Sequence, residues 1–215
     1  MWKLPQGSIS IMEAKRLILE PRNLIPRNGI AHLYENFFPK PEADALFKEL
    51  AEKVPWKQEP IKMFGKEIMQ PRLTCWYSDP GIDYSYSGIR MKNLPWTEPL
   101  PGIKSRIERL AGVRFNGALL NLYRNGNDSM GWHRDNEKEL GKNPVIGSVS
   151  LGGTRTFKFR DRLSKKEIIS VDLPNGSLLI MAGESQHFWE HSIPKQSGAA
   201  NPRLNITFRV IQPPV

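Results

Sequence analysis

The 215-residue sequence predicts a mainly β, α+β fold, in which a sandwich, barrel or jelly roll follows two N-terminal helices. Two observations predict it. From Phe115 onward, short runs of β-forming residues are separated by Asn125-Gly126, Gly152-Gly153, Pro174-Asn175-Gly176 and Ser197-Gly198, all turn signals. Helical spacing of apolar residues is confined to the first half of the chain. A content of 39% hydrophobic and 25% charged residues is that of a soluble globular protein, and the length suffices for one well-filled domain.

Taken in order, residues 1–30 form a lead-in arm, broken by Pro5, Gly7, Pro21, Pro26 and Gly29 around the short apolar run Arg16-Leu17-Ile18-Leu19. The first helix begins at Pro41, with Glu42 and Asp44 at the positive end of its dipole, and Pro55 stops it. Leu46, Phe47, Leu50 and Val54 make its apolar face. The second runs from about Pro101 to Ala111 and stops at Gly112. Between them, Glu59 to Met63 and Lys66 to Gln70 flank Phe64-Gly65 as a hairpin, and Arg72 to Tyr77 follows as a strand. The later strands are expected at 115–123, 145–151, 155–159, 167–173, 177–182, 188–193 and 204–211.

Cys75 is the single cysteine, so no internal disulfide forms and a reducing compartment fits. The first residues lack an apolar signal region, and no apolar run approaches ~18 residues. These features predict an intracellular monomer without a membrane span, cytoplasmic or, in a eukaryote, nuclear. The net charge of +9 favours anionic partners, nucleic acid first. Arg155, Lys158, Arg160, Arg162, Lys165 and Lys166 form a basic stretch able to follow phosphates.

The chemistry starts at His133-Arg134-Asp135. An imidazole and a carboxylate at i and i+2 leave the same face of an extended segment. Together they are two thirds of a facial metal site. His187 and His191, four apart in an expected strand, each offer the third ligand. Two imidazoles and one carboxylate leave about three of six octahedral positions open, as in non-haem Fe(II) oxygenases. Structural zinc closes its shell with four ligands, often Cys, and suits this chain less well. Arg203, Asn205, Thr207 and Arg209 alternate with Leu204, Ile206 and Phe208 on the last strand, and Asn121 and Tyr123 show the same alternation. If those polar faces line the interior, two arginines there clamp a dicarboxylate. Iron with a dicarboxylate suggests 2-oxoglutarate.

Asn121-x-Tyr123, His133-x-Asp135, His191 and Arg203-x-Asn205-x-Thr207-x-Arg209, in this order, resemble the AlkB family of Fe(II)- and 2-oxoglutarate-dependent nucleic acid dealkylases. Pro71-Arg72-Leu73-Thr74, Tyr84-Ser85-Tyr86-Ser87-Gly88 and Ser177-Leu178-Leu179-Ile180-Met181 are similar to its DNA-repairing branch, and the likeness covers residues 59 to 211. It implies a double-stranded β-helix (jelly-roll) core at 115–211 and a nucleotide-recognition part at 59–90. Both would lie in one dioxygenase domain spanning 31–215. It implies that His133, Asp135 and His191 hold Fe(II), with His187 outside the ligand set. Asn121, Tyr123, Arg203, Asn205, Thr207 and Arg209 would hold 2-oxoglutarate. With O2 as co-substrate, the expected reaction is oxidative demethylation of 1-methyladenine and 3-methylcytosine in single- or double-stranded DNA. Formaldehyde, succinate and CO2 are its products, and RNA or a protein side chain is the alternative substrate.

The same resemblance points to substrate contacts. Phe64, Gly65 and Lys66 match a finger hairpin that fills the gap left by a flipped base, and an apolar wedge suits that task. Tyr84 and Tyr86 match positions around the flipped base, Trp76 is a further stacking surface, and Arg72 belongs to the same set. Asn136 departs from the family, several members of which carry an acid directly after the metal-binding Asp. An amide both donates and accepts where a carboxylate only accepts, so base preference turns on this position.

Overall fold

The computed structural model describes residues 21–63, 66–82, 85–86, 89–90, 93–198 and 200–212. The apolar run at 16–19 lies outside them. The first strands are β1 (Ile30–Tyr34), β2 (Pro60–Met63), β3 (Lys66–Met69), β4 (Leu73–Ser78), β5 (Ser85–Tyr86), β6 (Ile89–Arg90) and β7 (Asn93–Leu94). After them come β8 (Gly117–Tyr123), β9 (Met130–His133), β10 (Ile146–Gly152) and β11 (Arg155–Asp161). The last four are β12 (Ile168–Leu173), β13 (Ser177–Ala182), β14 (Trp189–Ile193) and β15 (Arg203–Arg209). Among the described residues three α-helices accompany them: α1 (Lys40–Lys53), α2 (Leu100–Ala111) and the single turn α3 (Ser185–Phe188).

Seven strands form a large sheet in the order β1-β13-β10-β15-β8-β4-β7, and four form a small one, β12-β11-β14-β9. From β8 onward the chain winds between the two: β8, β10, β13 and β15 lie in the large sheet, and β9, β11, β12 and β14 in the small one. That winding is the double-stranded β-helix. The expected hairpin is present as β2 paired antiparallel with β3.

The helices pack where their apolar spacing directs. Pro stands in the first turn of both α1 and α2, where its missing N–H costs no helical bond. Gly112, with φ of 69°, takes the left-handed conformation that ends α2. Ala43, Leu50, Leu100, Ile103 and Ile107 from these helices join Leu120, Val149, Leu204, Ile206 and Phe208 in one apolar core. Burying each of the larger side chains stabilises by roughly 1.5–3 kcal/mol. This core covers the outer face of the large sheet.

A second core, with Ile25, Leu33, Phe157, Phe159, Leu179, Met181 and Trp189, fills part of the space between the sheets. Ile25 is 1% exposed, so the end of the lead-in arm is packed in place. Two local expectations differ from the structure. The sequence pattern shows no separate strand at 30–34, because Ile30-Ala31-His32-Leu33-Tyr34 is short and lies in a Pro- and Gly-rich context, yet it pairs with β13 at the sheet edge. His187 lies on α3, not on a strand, so it and His191 do not share a strand face. The His187 ring meets Asn143 Oδ1 at 2.9 Å instead.

Candidate active site

β15 is fully buried because it lies between β10 and β8, with helices on one face and the small sheet on the other. Its alternation therefore places Arg203, Asn205, Thr207 and Arg209 in the space between the sheets. They line a cavity with Asn121, Tyr123, His133, Asp135, Ser148 and His191. The register sets the polar groups side by side, with Arg203 opposite Tyr123 and Asn205 opposite Asn121. Thr207 Oγ1 donates to Asn205 Oδ1 at 2.9 Å, and Asn205 Nδ2 donates to Ser148 Oγ at 2.8 Å and to the Val149 carbonyl at 2.9 Å. Such a network keeps a buried polar face in one arrangement.

Across the cavity, β14 pairs with β9 so that His191 stands opposite His133. Their ring centroids are 4.1 Å apart, and Phe157 stacks on His191 at 5.3 Å. His133 Nδ1 sits 2.9 Å from the Gly131 carbonyl. Donating that proton leaves Nε2 as the free lone pair. Asp135 Oδ1 is 3.9 Å from His133 Nε2, and one ligand atom from each of His133, Asp135 and His191 lies within 4.8 Å of the others.

Electrostatics hold the triad in the protonation state that a metal needs. Burial alone would raise the Asp135 carboxyl, but Arg209, His191 and His133 outweigh it and bring the pKa down to about 2. Burial lowers His191 to about 3, and His133 adds to the effect. His133 is lowered by burial too. At neutral pH the site is one carboxylate and two neutral imidazoles. Asp135 Oδ1 is buried with no hydrogen-bond partner, so one oxygen of that carboxylate is left for a cation. The residues present fit a divalent metal.

The far end of the cavity fits an anion. Arg203 is 1% exposed, and burial lowers its pKa to about 10, which leaves it charged. Its Nη2 donates to Ser150 Oγ at 2.8 Å, while Nε and Nη1 have no partner. No carboxylate among the described residues pairs with it. A buried cation without a counter-ion is costly unless a ligand supplies the charge.

The expected substrate residues fare differently. Phe64, Gly65 and Tyr84 lie outside the described residues, and for Lys66 and Tyr86 only the backbone, on β3 and β5, is described. Arg72 is buried at 3% exposure, with Nε donating to Asn121 Oδ1 at 2.8 Å, and so adjoins the cavity. Asn136 is exposed, one residue beyond Asp135. Trp76 is corrected to a core residue. At 1% exposure it packs with Leu119, Leu140 and Ile211, and it lies so close to Gly117 that a Cβ there would sit 2.5 Å from its ring. No face is left for a base to stack on. The basic stretch is also divided. Arg155 is buried and donates to the carbonyls of Asn125, Asp128 and Pro194, while Arg160 and Lys165 pair with Glu190.

Sequence reasoning missed Ser148 and Ser150, although their alternation with Gly147, Val149 and Leu151 is the signal already used for β15. It also missed Gln186, whose Oε1 accepts the Asp135 backbone N–H at 3.0 Å, and for which no sequence signal exists.

Residues 30–209 match the family model of the 2OG-Fe(II) oxygenase superfamily. The human alpha-ketoglutarate-dependent dioxygenase alkB homolog 3 is 41% identical over 190 residues, covering 84% of this chain; the chain spans 66% of that protein, just under two thirds. The bovine DNA oxidative demethylase ALKBH2 is 36% identical over 218 residues, covering 90% of this chain and 78% of that one. A solved structure of OsALKBH1 superposes with a TM-score of 0.63 at 18% identity, covering 86% of this chain and 99% of that one, a likeness of fold alone. Among the described residues no helix is long and apolar enough to cross a membrane.

Proposed function

The chain belongs to the AlkB family within the 2OG-Fe(II) oxygenase superfamily, and from that membership we propose that it oxidatively removes alkyl groups from N-alkylated bases in DNA, 1-methyladenine and 3-methylcytosine among them. The observation that carries this reading is the buried, carboxylate-free Arg203 in the cavity that holds His133, Asp135 and His191. One end suits the co-substrate and the other the metal. His133, Asp135 and His191 would hold Fe(II), and Arg203 would take a carboxylate of 2-oxoglutarate with Asn121, Tyr123, Asn205 and Thr207 around it, while Arg209, expected in the same set, is paired with Asp135. When bound, iron with 2-oxoglutarate and O2 would supply the oxidation of the N-alkyl carbon, one oxygen atom going to that carbon and the other to the succinate left after 2-oxoglutarate loses CO2.

The chain's own residues bind and orient. Gly131 fixes the His133 tautomer, and Arg209 engages Asp135 Oδ2 at 2.7 Å, leaving Oδ1 for the metal. Two sheets and their cores keep bulk water from the cavity walls. The target base has to leave its stack to reach this enclosed site, and once its N-alkyl carbon is hydroxylated it is released with formaldehyde. The net charge of +9 supports a nucleic acid substrate, and the one free, buried Cys75 supports a reducing, intracellular setting.

The test is a side-by-side demethylation assay on methylated single-stranded DNA, duplex DNA, RNA and peptides. Formaldehyde release from DNA is expected, with His133→Ala and Asp135→Ala inactive. Turnover confined to RNA or peptide would move the substrate, and full activity in metal-chelated protein would sink the mechanism. Phe64→Ala is expected to lower turnover of duplex more than of single strands; equal losses would remove Phe64 from the finger role.

A further inference from the structure

Asp135 lies where the sheet has stopped. β9 ends at His133, and its register with β14 is already irregular between the His191–His133 and Ile193–Met130 pairs. Two residues later no ladder partner fixes the main chain, yet the Asp135 carboxylate has to point one oxygen at the His133 lone pair. We propose that Gln186 is the positioning residue that sets Asp135 for the metal, its side chain replacing the missing strand partner. This rests on the metal reading given above.

The bonds around Gln186 converge on that task. Its Oε1 accepts the Asp135 N–H at 3.0 Å, and its main-chain carbonyl accepts Arg134 Nη1 at 3.3 Å, so both residues after His133 are fastened to one residue. Gln186 is itself held, at 1% exposure, with Nε2 donating to Ser185 Oγ at 3.3 Å and to Met181 Sδ at 3.7 Å. It sits on α3, which leads directly into β14 and His191, so a single turn links two metal-ligand segments. His187 on the same turn bonds Asn143, at the far end of the segment that Asp135 begins. The turn cannot retreat. Gly29, at φ of 131°, packs so tightly behind it that a Cβ would lie 2.4 Å from the Ser185 nitrogen.

Asp135 is therefore gripped twice, by Arg209 on one carboxylate oxygen and by Gln186 on the backbone. Removing the second grip leaves a buried amide without an acceptor and lets the main chain shift, and partners of this outer kind change metal affinity by about 10–100-fold.

The experiment measures Mn(II) binding to the full-length apoprotein by the EPR signal of free Mn(II), with thermal melting alongside. Gln186→Met, similar in length but without the acceptor, is expected to weaken Mn(II) binding at least about tenfold, and Gln186→Glu, which restores an oxygen at the same reach, to recover to within about threefold of the parent. Parental affinity in Gln186→Met would overturn the proposal. So would a Gln186→Glu variant as weak as Gln186→Met, since the oxygen would then not be what matters. If Gln186→Met does not fold, Gln186→Asn keeps an amide but withdraws its oxygen by one carbon, and the same weakening is expected; parental affinity there overturns the idea. Mn(II) binding by the parent, abolished in His133→Ala, tests the metal reading separately, because Gln186 is judged only by the ratio of variant to parent.

Discussion

Arg203 and Arg209 stand at opposite ends of the same face of β15, both at most 3% exposed, yet their surroundings differ. Arg209 is paired: Nε and Nη2 reach Asp135 Oδ2 at 3.2 and 2.7 Å. Arg203 meets the hydroxyl of Ser150 and the ring of Tyr123, 5.3 Å from its Cζ, but no carboxylate among the described residues. The difference separates two uses of a buried charge. A paired one holds another side chain in place, and an unpaired one marks where a ligand brings the opposite charge.

The largest effect is expected from breaking the paired end. Arg209→Met leaves Asp135 as an uncompensated buried charge and should destabilise the apoprotein by about 3–5 kcal/mol. Arg203→Met, by contrast, removes an uncompensated charge and should leave melting unchanged or raised. It should also increase the KM for 2-oxoglutarate by about a hundredfold, since two charge-assisted hydrogen bonds are lost. Thermal melts of the apoprotein and turnover against 2-oxoglutarate concentration read both. An Arg203→Met melt lowered as much as that of Arg209→Met would erase the contrast.

Acid titration sharpens it further. Folded His191 titrates at about 3, against its ordinary 6.5, because burial and the neighbouring His133 disfavour its cation. The unfolded chain therefore binds a proton there that the folded chain refuses, so stability is fully present above pH 6.5 and lost as pH falls toward 3. Asp135, held at about 2 against 3.8, adds a loss of the same sign across that lower window. Urea unfolding of the apoprotein should weaken steadily with acid. His191→Asn should flatten the slope below pH 6.5, whereas Arg203→Met should not, because Arg203 stays charged throughout.

How much of this was legible in the sequence follows from which residues report on themselves. Periodicity named β15 and its polar face, because alternation survives whatever packs around it. It placed α1 and α2 within a residue or so of their observed ends, where Pro and Gly punctuate the chain. It could not decide whether Trp76 faces a base or a core, since that depends on Gly117 one strand away. Nor could it show that Arg155 is buried while Lys158, three residues on, is not, or that a Gln 51 positions from Asp135 holds its amide. Side chains that act across the fold leave no local mark. The alternation of Ser148 and Ser150 on β10 did leave one, and it went unread because serine is so often a surface residue.

That alternation supplies the smallest predicted effect. Ser150 Oγ accepts from Arg203 Nη2 and is 1% exposed, so it is the protein's own contribution to aiming the unpaired arginine. Ser148 Oγ serves Asn205 Nδ2 instead, a donor that also reaches the Val149 carbonyl and so keeps a partner when the hydroxyl is removed. Ser150→Ala should therefore raise the KM for 2-oxoglutarate about fivefold, the loss of roughly 1 kcal/mol, without lowering kcat, and Ser148→Ala should raise it less. The two variants differ by one step along the same face of β10 and by which neighbour loses its acceptor. Equal shifts in KM would mean that the cavity responds to polarity in general. A larger shift for Ser150→Ala would tie co-substrate binding to the aim of Arg203, a buried cation that pairs with no carboxylate among the described residues.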